Sequence, residues 1–97
     1  MKLSDIIEGF DYRLIKGKLD IDITKIEHDS RKVSKGDMFI AINGFSEDGH
    51  CYVGEAIEKG AACIVVEKDI DMFDDSNVTY IKVEDTMLAL AKFSSNF

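Results

Sequence analysis

Apolar positions along the chain follow two periods. Met38-Phe39-Ile40-Ala41-Ile42 and Ala62-Cys63-Ile64-Val65-Val66 are short runs with no polar face. Runs of that length and character predict strands covered on both sides, as in a parallel sheet. Val78 to Val83 predicts a third strand, and Tyr12 to Ile15 a short strand or connector ending at Lys16-Gly17-Lys18. Ile21, Ile23 and, after a shift, Ile26 alternate with polar residues. That alternation predicts a half-exposed strand running toward His28-Asp29.

Three other stretches have helical spacing. Ser4 is a suitable N-cap for a short helix carrying Ile6, Ile7 and Phe10, which stops near Gly9. From Tyr52 to Lys59, Tyr52 or Val53, Ala56 and Ile57 share one face, and Gly60 is placed as the C-terminal cap. Asp85 or Thr86 caps a last helix, with Met87, Leu90, Ala91 and Ser94 at helical spacing up to the chain end. Ser34-Lys35-Gly36-Asp37 predicts a turn with glycine at positive φ, and the acidic stretch from Asp69 to Asn77 predicts a loop. The predicted fold is α/β: a single three-layer domain over residues 1–97, with a mixed sheet of about five strands flanked by two or three helices. The βαβ unit between residues 38 and 66 is expected to be right-handed.

Charge narrows the partners. The 97 residues carry 12 Lys+Arg against 19 Asp+Glu, a net charge of -7. Nucleic acid is bound through a basic footprint that displaces counterions, so that class is disfavoured, as is an anionic membrane surface. An anionic ligand must instead be met by a local site. The two cysteines, Cys51 and Cys63, form no Cys-x-x-Cys pair and no four-ligand zinc set. No metal site is expected. Cys63, inside an apolar run, is expected to be a small core residue. The N-terminus lacks the apolar core of a signal peptide, and no run approaches the roughly 20 apolar residues of a membrane span. A cytoplasmic location is therefore expected.

Two loops, each after a strand, could carry chemistry. One is His28-Asp29-Ser30-Arg31-Lys32, with a hydroxyl, two cations and a carboxylate. The other is Asn43-Gly44-Phe45-Ser46-Glu47-Asp48-Gly49-His50, between a buried strand and a helix. Ligands of open α/β sheets bind beyond the carboxyl ends of strands, where a helix N-terminus can favour anions. Gly44 and Gly49 would let backbone N–H groups approach a phosphate, and the Ser30 hydroxyl could donate to phosphate or ribose oxygens. The other reading of Asp29, Ser30 and Arg31 is that they tie down a turn, Arg31 pairing with Asp29 or Asp48. Asp48-Gly49-His50 is expected to shape its loop and start the helix. His50 has no nucleophile or second base beside it, and no catalytic residue is expected in the chain.

The order of motifs is more specific than any one of them. Asp29-Ser30-Arg31-x-Val33, Gly36-Asp37-x-Phe39-x-Ala41, Gly44-x-x-x-Asp48-Gly49-His50 and Ala56-x-x-x-Gly60-Ala61 follow one another, and Tyr80-Ile81-x-Val83-x-Asp85-Thr86 extends the series. This closely resembles the first domain of the Mur ligases, over nearly all of the chain beyond residue 20. The resemblance implies that this domain holds the uridine diphosphate part of UDP-N-acetylmuramoyl-L-alanyl-D-glutamate. It assigns the contacts to Ser30, to Phe45, Ser46 and Glu47, and to the position of His28. His28 departs from the family's aliphatic residue or tyrosine, so its backbone alone could make that contact. Phe45 offers a ring that could lie against uracil.

Within the family, Gly44-Phe45 and Ser95-Asn96-Phe97 look more like the member that adds a diamino acid than the one that adds D-alanyl-D-alanine. The family's ATP-binding domain would follow this one, using ATP and magnesium to activate the D-glutamyl carboxylate. A phosphate loop of the form G-x-x-x-x-G-K-[ST] is absent here, and Gly17-Lys18-Leu19 lacks its upstream glycine and hydroxyl residue. No cofactor is expected within these residues, and the chain alone is expected to be inactive. The rivals are the D-alanyl-D-alanine-adding ligase and a stand-alone α/β binding or regulatory module.

Overall fold

The computed structural model describes residues 1–44, 47–70 and 77–97. In chain order its elements are α1 (Leu3–Ile6), β1 (Arg13–Lys16), β2 (Ile26–Glu27), β3 (Met38–Ile40), α2 (Val53–Glu58), β4 (Cys63–Val66), β5 (Thr79–Lys82) and α3 (Thr86–Asn96), with short 3-10 turns at Ser30–Lys32 and Gly49–Tyr52. The five strands form one sheet in the order β1-β5-β4-β3-β2. Strands β2 to β5 run parallel, and β1 is added antiparallel along β5. The expected mixed sheet of five strands is therefore the observed one.

The apolar runs are buried because each contributes to two cores. Side chains alternate across a strand. Met38, Ile40, Cys63, Val65 and Ile81 meet Leu3, Ile6, Ala89 and Phe93 on the face covered by α1 and α3. Phe39, Ile64, Val66 and Tyr80 meet Val53, Ala56 and Ala61 on the face covered by α2. Cys63 is fully buried, and desolvation pushes its thiol well above the usual range; Cys51 is exposed.

Three expectations need correction. Ser4 does not cap α1: Lys2 occupies the N-cap position, with no side-chain hydrogen bond. The strand expected through Ile21, Ile23 and Ile26 shrinks to Ile26–Glu27. Its earlier part pairs instead with the N-terminus, where Leu3 donates to the Ile21 carbonyl (2.8 Å) and Ile23 to that of Met1 (2.8 Å). The inward face of α3 is Thr86, Ala89 and Phe93, while Met87 is exposed at 60%. Rotation of that face follows from Phe93, whose ring meets Phe10 edge-on at 5.2 Å. Asp85 caps α3 as expected, accepting from the Met87 and Leu88 amides.

Two turns set the strand ends. Gly36 and Gly60 take φ of +88° and +100°, and a Cβ on Gly60 would stand 2.8 Å from the Lys35 Cα. Asp37, fully buried at the start of β3, accepts from Lys25 Nζ (2.5 Å) and the Ser34 amide (2.7 Å). The Gly-Asp motif is thus a turn fastener. Of the loop expected from Asp69 to Asn77, residues 71–76 lie outside the described residues. Among the described residues, no helix is long and apolar enough to cross a membrane.

Candidate functional site

Strands β2 and β3 are parallel neighbours, so the segments that follow them open on the same edge of the sheet. Between them and α2 lies an open cleft of about 500 Å³, lined by His28, Asp29, Ser30, Arg31, Ile42, Gly44, Glu47, Gly49, Tyr52 and Glu55. This is the place where ligands of parallel sheets are expected, beyond the carboxyl ends of strands.

On the β2 side, the Asp29 side chain accepts from the Arg31 amide and opens the 3-10 turn Ser30–Lys32. Arg31 returns to the same carboxylate through Nε (3.0 Å) and Nη2 (2.9 Å). Arg31 therefore pairs with Asp29, and its charge is balanced locally. That pairing, first through the side chain and then through the Arg31 amide, lowers the Asp29 carboxyl to about 2. The turn faces Ser30 inward, 6% exposed, where its hydroxyl donates to Glu55 Oε1 in the first turn of α2.

On the β3 side, Asn43 and Asp48 close a bridge across the loop, and the Gly49 amide donates back to the Ile42 carbonyl (2.7 Å). The Asp48 side chain accepts from the His50 amide, from Lys68 Nζ and from His50 Nδ1 (2.6 Å). His50 Nε2 in turn accepts from the amides of Glu67 (2.9 Å) and Lys68 (3.3 Å) just past β4. Two amides on Nε2 require the tautomer protonated at Nδ1. His50 is thus a clasp between two loops. Lys68 first, then the His50 amide, holds the Asp48 carboxyl well below the usual range.

Two expected phosphate donors are already committed. The Gly44 amide donates to the Glu47 carbonyl (3.0 Å) and the Gly49 amide to that of Ile42. The loop uses these groups to hold its own shape, and the Ser30 proton goes to Glu55. The cleft presents carboxylates instead: Asp29, Glu47 and Glu55, with Arg31 and His28 the basic side chains among its described lining residues. Tyr52 completes the rim, and the Glu47 charge is the first cause of its raised phenol pKa.

The family defined as Mur ligase family, catalytic domain, matches residues 22–97. The chain belongs to the Mur ligase family. Relatives named UDP-N-acetylmuramoyl-L-alanyl-D-glutamate--2,6-diaminopimelate ligase align with all of it. The protein of Clostridioides difficile (strain 630) is 50% identical over 97 residues, which are 19% of that protein. The one of Clostridium perfringens (strain 13 / Type A) is 42% identical, and the match covers 20% of it. A solved structure, crystal structure II of MurF from Acinetobacter baumannii, superposes on 99% of this chain and 20% of its own, with a TM-score of 0.81 at 26% identity. The chain thus spans about a fifth of the length of these relatives.

Of the positions that the Mur ligase resemblance assigned to substrate, His28, Ser30 and Glu47 line one cleft. Phe45 and Ser46 lie outside the described residues. Among the polar cleft residues, Glu55 and Tyr52 are those that sequence reasoning missed as site residues. Their signal was weak: an acidic residue in a first helical turn and a tyrosine assigned to a buried face.

Acid should loosen the site. A carboxyl whose folded pKa is depressed stabilises the fold above its ordinary value and loses that contribution as pH falls through the folded value. Stability is expected to drop as pH falls from 3.8 toward about 2, and further for Asp48. Asp48→Asn should flatten this acid limb in urea midpoints measured against pH. Parallel profiles for wild type and variant would count against it.

Proposed function

We propose that this chain recognises the UDP end of UDP-N-acetylmuramoyl-L-alanyl-D-glutamate, as the first domain of an ATP-dependent amide ligase. The longer enzyme adds a diamino acid, named as 2,6-diaminopimelate in the relatives, during peptidoglycan synthesis in the cytoplasm. The observation that carries this reading is identity of 50% along the whole chain to a ligase of that name, with Ser30, His28 and Glu47 gathered in one cleft. Ser30, Phe45, Ser46, Glu47 and His28 form the proposed substrate site.

A D-alanyl-D-alanyl ligase from Acinetobacter baumannii shares the fold at only 28% identity, which favours the diamino-acid reading. On this reading ATP and magnesium belong to the longer enzyme, and Gly17-Lys18-Leu19 serves the fold. Gly17 packs against Thr79, and Lys18 exchanges backbone hydrogen bonds with the Thr79 hydroxyl (3.1 and 2.8 Å). The chain alone is catalytically silent on this reading.

Calorimetric titration checks it. UDP should bind weakly, in the high micromolar range or poorer, since the site meets only part of the substrate and the net charge of -7 gives no long-range attraction. Ser30→Ala should weaken UDP by about 2- to 12-fold, the value of one neutral hydrogen bond. Binding of ADP as tight as UDP, or no UDP binding at millimolar concentration, would refute the reading.

A further inference from the structure

Resting on that nucleotide reading, we propose that Glu55 is a positioning residue that fixes the polarity of Ser30. By taking the hydroxyl proton, Glu55 makes Ser30 an acceptor toward the cleft, so the group that meets it is a neutral donor of the nucleoside and not the diphosphate.

The geometry supports this in three ways. The Ser30 hydroxyl is its single donor, and that donor points at Glu55 Oε1, leaving lone pairs for a ligand. An anionic oxygen offers only lone pairs as well, so placing phosphate there would oppose two acceptors and bring its charge toward a carboxylate. The surroundings agree: Glu47 and Glu55 face the cleft, while Arg31 and Asp29 balance each other's charge. The amides of Gly44 and Gly49, which could have offset an anion, close the loop instead. A nucleoside diphosphate has two kinds of neutral donor, the ribose hydroxyls and the uracil imide N–H. Both suit an acceptor on Ser30.

The test compares UDP with 2′-deoxy-UDP, 3′-deoxy-UDP, N3-methyl-UDP and inorganic pyrophosphate, on wild type, Ser30→Ala, Glu55→Gln and Glu55→Ala. In wild type, one of the three analogues lacking a donor should bind about 2- to 12-fold more weakly than UDP, and its identity names the donor. Ser30→Ala should erase that discrimination. Glu55→Ala, which frees the hydroxyl to donate, should reduce the discrimination and strengthen pyrophosphate competition. Glu55→Gln keeps a carbonyl acceptor for the hydroxyl and should restore wild-type selectivity, whereas stronger pyrophosphate competition in Glu55→Ala is a gain that a merely structural role would not predict. UDP binding with no discrimination in wild type, or discrimination that survives Ser30→Ala, overturns the role of Glu55 and leaves the nucleotide reading standing. Pyrophosphate competing as well as UDP in wild type does the same. Absence of UDP binding overturns both.

Discussion

Gly49→Ala is expected to lower the thermal midpoint by roughly 8–32 °C and to abolish the cleft. A Cβ at this position would stand 2.7 Å from the Ile42 nitrogen, 2.8 Å from its oxygen and 3.0 Å from the Ala41 carbonyl carbon. These are backbone atoms at the end of β3, so no side chain can swing aside. The loop must lift, and the hydrogen bond from the Gly49 amide to Ile42 goes with it. Overpacking and one lost hydrogen bond together cost about 2–4 kcal/mol. In a domain of this size each kcal/mol shifts the midpoint by about 4–8 °C. Circular dichroism against temperature measures it. A midpoint within about 3 °C of wild type would show that the loop accommodates the methyl without moving.

The second large effect is expected at His50, through hydrogen bonds rather than volume. Its side chain is 5% exposed and joins the Asp48 carboxylate to the amides that follow β4. His50→Leu fills similar space but leaves the half-buried Glu67 amide without an acceptor and removes a partner from Asp48. The cost should be roughly 2–3 kcal/mol, since an unsatisfied buried donor alone costs about 1–3 kcal/mol. His50→Gln places an amide oxygen near the position of Nε2 and should recover at least half of the loss. Urea unfolding of the three proteins decides it. Equal destabilisation by Leu and Gln would mean that ring packing, not acceptor chemistry, makes His50 matter.

The sheet was legible in the sequence because its strands are apolar on both faces, and that pattern has few other solutions. The runs at 38–42 and 62–66 became β3 and β4, and Val78 to Val83 contains β5. What local pattern could not show was pairing at a distance. Ile21 and Ile23 alternate like a strand, yet their partner is the N-terminus, so the ladder they suggested did not form. The inward face of α3 was misjudged for a similar reason: Phe93 is selected by Phe10, more than 80 residues earlier in the chain.

The site was half legible. Asp29 and Asp48 have the spacing of side-chain-closed turns, and both close them. The direction of the Ser30 proton depends on Glu55, which is 25 residues away and enters only when α2 packs beside the β2 loop. Likewise, Gly44 and Gly49 looked free to meet phosphate, but the loop uses their amides for its own closure. Sequence spacing gives the members of such a site; folding decides which donors remain.

Mapping UDP on the protein by amide chemical shifts tests the central claim most directly. The account predicts saturable shifts clustered at residues 28–31, 42–44 and 47–55, around the cleft at the ends of β2 and β3. Shifts centred instead on a separate cavity lined by Asp11, Tyr12, Arg13, Glu67 and Lys82 would contradict it.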